Sequence, residues 1–154
     1  MKFNVSLVLL LVTLTGCQKE TKKNNKLTTK NEKRKMTQKS NEGLKSTLIK
    51  QVEKESPMPE IGNTVSVHYT GWLALEDHTQ GRQIDSSLER EPLSFIVGLH
   101  QVIKGFEEGV KLMRVGEKRR FVISPEMGYG KKGVGLFIPP DSTLIFDVEL
   151  LKIS

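Results

Sequence analysis

The sequence predicts an α+β domain: an antiparallel sheet of about five strands wrapped on one short helix, carried behind a polar leader. Three observations predict it. Beyond residue 43, short segments alternate apolar and polar residues, the period of a half-buried strand. One segment instead spaces its apolar residues at the helical period. The 25 residues from Gln18 to Glu42 show neither pattern. A chain of 154 residues suffices for one domain with a single core and some unstructured sequence besides.

The N-terminus reads as an export signal. Lys2 is a short positive region, and Phe3 to Leu14 is an apolar stretch too short to cross a bilayer comfortably, which takes roughly 20 residues. It ends in Leu14-Thr15-Gly16-Cys17, which resembles the bacterial lipobox. Small residues let the extended backbone enter a peptidase, and the thiol carries the diacylglyceryl thioether. Cys17 is the only cysteine in the chain, so acylation would also remove a lone thiol from an oxidising compartment. The expected organisation is a signal peptide over 1–16, a lipid-anchored basic tether over 17–42 and a folded domain over 43–154. Gln18 is not the Asp that resembles an inner-membrane retention signal, so the expected place is the cell envelope, on an outer membrane or cell surface.

Charge separates tether from domain. Gln18–Glu42 carries nine Lys/Arg against three Glu, whereas Gly43–Ser154 is near neutral with fourteen Lys/Arg and fifteen Asp/Glu. The tether has only Leu27 and Met36 as large apolar residues, too few to offset chain entropy, so it is expected to be disordered. A flexible chain of that length reaches on the order of 25–30 Å. A nucleic-acid partner is not expected, because it wants positive charge gathered on a folded face.

The domain elements follow in order. Leu44, Leu48, Ile49 and Val52 mark a strand-like stretch, closed by Ser56-Pro57-Met58-Pro59. Val65–Tyr69, Leu93–Val97, Arg119–Ile123 and Leu144–Lys152 alternate as strands. Val102, Ile103, Phe106, Val110 and Met113 line one helical face, with Lys104, Glu107, Glu108 and Lys111 expected opposite. Glu107 and Lys111 stand at i, i+4, the favourable order for an ion pair.

Within these elements lie Val67-His68-Tyr69-Thr70-Gly71, Asp85-Ser86-Ser87, Val102-Ile103-Lys104-Gly105-Phe106-Glu107-Glu108-Gly109-Val110, Val115-Gly116-Glu117-Lys118, Tyr129-Gly130, Ile138-Pro139-Pro140 and Thr143–Leu151. In this order and spacing they resemble the FKBP-type peptidyl-prolyl cis/trans isomerases, over about 110 residues. The resemblance implies an FKBP-like fold and catalysis of rotation about X-Pro bonds. That bond has a barrier of about 18–20 kcal/mol, because planarity carries resonance, and unassisted exchange takes tens of seconds or more. A pocket that strips water from the imide and offers a few fixed donors favours the twisted state. Such chemistry needs no nucleophile, metal or cofactor, and none is expected.

The resemblance also implies a site. Tyr69, Asp85, Ile103, Phe106, Tyr129 and Phe146 would carry the catalysis, with Ile84, Leu93, Val102 and Ile138 completing the substrate-binding wall. Phe106 would be the floor under the proline ring. The Tyr129 hydroxyl and the Ile103 N–H would donate to substrate carbonyls. Tyr69 and Asp85 would flank the twisting amide, and Phe95 is expected behind the wall, in the core. The implied partners are proline-containing peptides, exported client proteins and macrolides of the tacrolimus or rapamycin type, with the membrane reached through the lipid anchor.

Some residues depart from the family pattern. Ile84 and Leu93 stand where Phe is frequent, and Lys131-Lys132-Gly133-Val134-Gly135-Leu136-Phe137 lacks the usual His-Pro-Gly. These departures keep open an alternative, a catalytically weak prolyl-binding module or holdase. Gly128-Tyr129-Gly130-Lys131-Lys132-Gly133 fits a dinucleotide fingerprint on paper. The Ile138-Pro139-Pro140 that follows cannot open the helix such a site needs. Glu76, Asp77 and His78 are adjacent polar loop residues and read as solvated rather than metal-binding.

Overall fold

A computed structural model describes residues 42–154. The expected signal segment 1–16, Cys17 and all but the last residue of the tether lie outside the described residues. Six strands and one helix follow: β1 (Leu44–Lys50), β2 (Thr64–Ala74), β3 (Gln80–Ser86), β4 (Leu93–Ile96), α1 (Lys104–Lys111), β5 (Lys118–Ile123) and β6 (Leu144–Ile153). Every strand pairing is antiparallel, in the order β1-β5-β6-β2-β3, with β4 also on β2. The predicted antiparallel α+β architecture is therefore present.

The strand beyond the five read from the sequence is β3. β2 runs on to Ala74, the chain turns, and β3 returns from Gln80. Gln80-Gly81-Arg82-Gln83-Ile84 offers one large apolar residue in five, too little alternation to announce a strand. It forms because the second half of β2 needs a partner, and Gly71 pairs with Asp85 there, Thr70 with Ser86. The first half of β2 pairs instead with β4, while β6 runs along its other edge.

Alternation decides what each strand buries. Val65 and Val67 of β2, Phe121 and Ile123 of β5, and Val148 and Leu150 of β6 face the core and are essentially inaccessible. Each such side chain contributes about 1.5–3 kcal/mol on leaving water. A bulge in β6 at Leu151 shifts the register, so that Lys152 opposes Ser66 while Leu150 opposes Val67. β5 also turns Arg119 inward, where Glu117 receives its Nε–H at 2.9 Å and removes the cost of a lone buried charge.

The helix lies close on the sheet because two of its residues lack side chains. A Cβ on Gly109 would come within 2.6 Å of the Phe121 ring, and one on Gly105 would collide with Ile123. Its apolar face is narrower than the spacing suggested. Val102 and Ile103 precede the helix, with Ile103 as its N-cap, and Met113 lies buried beyond its C-terminus. One expectation is corrected. Glu107 is not on the solvent face but 2% exposed, and Lys111 pairs with Glu108 at 2.6 Å instead. Buried Glu107 is satisfied by the His100 N–H at 3.1 Å, which ties the loop before the helix to the helix itself.

Candidate functional site

The inner face of β2 continues past Val67 to Tyr69, and there the core opens. Strands β2, β3 and β6, the loop into α1 and the segment after β5 enclose a cavity of about 380 Å³. All ten residues expected at the site line it: Tyr69, Ile84, Asp85, Leu93, Val102, Ile103, Phe106, Tyr129, Ile138 and Phe146. A larger concavity of about 780 Å³ beside Lys45, His78 and Arg120 contains no Phe, Tyr or Trp in its wall.

Phe106 forms the floor. It projects from the first turns of α1, is 3% exposed, and meets four other rings. Phe146 lies 5.3 Å away at 87° and Tyr69 5.7 Å away at 82°, the edge-to-face geometry that aromatic quadrupoles prefer. Phe95 and Phe121 stand behind it at 6.1 and 6.4 Å and do not reach the cavity. Phe146 can lie flat against β2 because its cross-strand partner is Gly71, where any Cβ would occupy the space of the ring.

The polar side of the cavity is a short relay. The Tyr69 hydroxyl donates to Asp85 Oδ2, the Ser86 N–H donates to Asp85 Oδ1 at 2.9 Å, and the Arg90 guanidinium pairs with the same oxygen. Burial raises the Asp85 pKa, but the Tyr69 and Ser86 hydrogen bonds and the Arg90 charge outweigh it and hold the carboxyl below its usual value. Tyr69 moves the other way. Partial burial, reinforced by its bond to Asp85, pushes its hydroxyl up to about 12. Tyr129 is raised too, first by burial and then by the charge of Asp85. The wall therefore presents a fixed carboxylate and two neutral phenols at any physiological pH.

The loop carrying Val102 and Ile103 is pinned at both ends. Gln101 Oε1 accepts the Ile96 N–H at 2.7 Å, and Glu107 holds His100, whose backbone is left-handed at φ +53°. The Ile103 carbonyl receives the first helical N–H groups, from Phe106 and Glu107. Its own N–H donates to no backbone carbonyl among the described residues outside the helix and strands.

Three lining residues were missed by sequence reasoning: Gln101, Val134 and Phe137. Gln101 sits beside Val102 with no distinguishing pattern. Val134 and Phe137 lie in the segment that departs from the family pattern, so the departure itself was the available signal. The two three-residue 3-10 turns there, Pro125–Met127 and Gly130–Lys132, do not supply the helix of a dinucleotide site.

Comparison with known proteins agrees with this geometry. The model of the FKBP-type peptidyl-prolyl cis-trans isomerases matches residues 55–151. The chain is 50% identical over 112 residues to FK506-binding protein 1 of Gibberella zeae, covering 73% of this chain and 99% of that protein. It is 52% identical over 93 residues to an FK506-binding protein of Neisseria meningitidis serogroup A, covering 60% of this chain and 81% of that one. The crystal structure of FkpA from Escherichia coli superposes with a TM-score of 0.66 at 41% identity, over 79% of this chain and about half, 53%, of that chain. With its motifs, its fold and its aromatic-floored cavity all in agreement, the chain belongs to the family of FKBP-type peptidyl-prolyl cis-trans isomerases.

Proposed function

We propose that the cavity turns X-Pro bonds of exported proteins by desolvation and hydrogen bonding. The supporting observation is the pairing of a ring-lined floor with one oriented carboxylate, Asp85. When the imide twists, nitrogen stops feeding electron density to the carbonyl carbon, which becomes electron-poor. A carboxylate beside that carbon favours the twisted state over the planar one. Phe106, Phe146, Ile84 and Leu93 take the proline and its imide out of water, which strengthens that interaction. The Tyr129 hydroxyl and the Ile103 N–H anchor the flanking carbonyls, so that the chain on one side stays fixed while the other turns. The same cavity takes a macrolide of the FK506 type, after which the relatives are named.

A protease-coupled assay on a proline tetrapeptide tests the reading. Acceleration over the spontaneous rate is expected. A folded sample that leaves the rate unchanged while still binding the peptide would replace the enzyme with a prolyl-binding module.

We place this activity at the cell envelope, with Cys17 as the acylated residue and 17–42 as the basic tether. The support is the lipobox-like Leu14-Thr15-Gly16-Cys17 behind an apolar run. Each buried CH₂ of an acyl chain adds about 0.8 kcal/mol of membrane affinity. Cells fed labelled palmitate should mark the wild-type chain and not Cys17→Ser; equal labelling of both would remove Cys17 from this role.

A further inference from the structure

The segment 130–141 forms a flap at the mouth of the cavity, and its internal bonds fix its shape. The Asp141 N–H donates to the Gly130 carbonyl at 3.0 Å across its base, and Val134 and Ile138 exchange N–H to carbonyl bonds of 2.8 and 3.1 Å. Gly133, at φ +58°, turns the chain where a Cβ would strike the Ile138 carbonyl. None of these bonds determines how far the flap stands from β3. Ile138 anchors one end of the flap in the core at 7% exposed, but Leu136 at 97% and Phe137 at 69% leave its outer part without apolar packing toward β3.

One side chain spans the gap. The Arg82 guanidinium donates through Nη2 to the Phe137 carbonyl. Arg82 lies two residues before Ile84 on β3, in a stretch where register irregularities on both sides of Gln83 break the regular alternation. Ile84 lines the cavity on the β3 side, Val134 and Phe137 on the flap side. We infer that Arg82 is a positioning residue that latches the flap to β3 and sets the width of the mouth between Ile84 and Phe137. Guanidinium suits the task, since it keeps its charge at every relevant pH and a charged donor to a carbonyl outperforms a neutral one.

The inference rests on the prolyl-isomerase reading for its kinetic consequence but not for its structural one. Arg82 touches no reacting atom. Releasing the latch weakens wall contacts that planar and twisted substrate share, which raises KM and spares kcat. The experiment compares the full chain with Arg82→Ala and Arg82→Lys. Two readouts are taken: kcat and KM on a proline tetrapeptide, and hydrogen exchange of the Val134, Phe137 and Ile138 amides without substrate. For an exposed, charge-assisted bond, Arg82→Ala is expected to raise KM roughly three- to tenfold with kcat within about twofold. Flap exchange should quicken, and Arg82→Lys, which keeps one charged donor, should recover part of both. Unchanged KM together with unchanged exchange in Arg82→Ala overturns the latch. So does a fall in kcat at constant KM, which would put Arg82 in the chemistry. A wild-type chain without isomerase activity would sink the catalytic reading alone, and the exchange readout would then decide the latch by itself.

Discussion

Phe106, at the floor of the cavity, is locked by four aromatic neighbours and is 3% exposed, whereas Phe137, at its rim, is 69% exposed and its carbonyl is held by Arg82. Both residues line the same cavity. The floor belongs to the domain core, so its geometry is determined by the packing that folds the protein. The rim belongs to a flap whose position hangs on few contacts. The difference teaches that stability and activity should separate along the depth of the cavity: coupled at the floor, independent at the rim.

Substitution at the floor has the largest expected effect. Phe106→Ala removes the hub of the ring cluster and should cost about 3–5 kcal/mol in denaturant unfolding, with isomerase activity falling alongside. A variant as stable as wild type would mean that the cluster is not a shared core. Midway up the wall, Asp85→Ala should lower kcat/KM by about tenfold while leaving the unfolding midpoint nearly unchanged, because the Asp85 side chain is half exposed and its partners Tyr69 and Arg90 can reach water. Tyr129→Phe should act in the same direction more weakly. Full activity in both would show that the polar relay does not serve catalysis. At the rim, Phe137→Ala should change kcat/KM only about two- to fivefold with no loss of stability; destabilisation there would erase the contrast between the two regions.

The smallest effect is expected from pH. The Asp85 carboxyl is held below its usual value, so its stabilising contribution is present above that usual value and is lost as pH falls through the folded one. Tyr69 is raised to about 12, so its contribution is present below the ordinary phenol value near 10 and is lost as pH climbs toward 12. Between these limits Asp85, Tyr69 and the likewise raised Tyr129 keep their charge states, and kcat/KM should stay within about twofold from roughly pH 6 to 9. A limb near neutrality would implicate a group outside the wall.

The floor was more legible in the sequence than the rim, for a physical reason. Phe106 and Phe146 sit on a helix and a strand whose hydrophobic periods mark their inward faces, and the family motifs run through the same elements. Glu107 was misread because its helical phase is polar. Whether a carboxylate at that phase meets solvent or the preceding loop is decided by where His100 returns, which no local pattern encodes. Val134 and Phe137 escaped because flap residues have no period, and Arg82 because its partner carbonyl lies 55 residues away.

By itself the sequence determined the α+β class, the presence of five strands and the helix, and the residue types that converge on the cavity, since these depend on local periodicity and motif order. Only the tertiary structure decided that β3 is a strand, that Glu107 is buried, and that Arg82 reaches across to the flap. Those three depend on hydrogen-bonding partners supplied by distant chain, and a backbone or charged group adopts whatever geometry satisfies it once the fold brings that partner near.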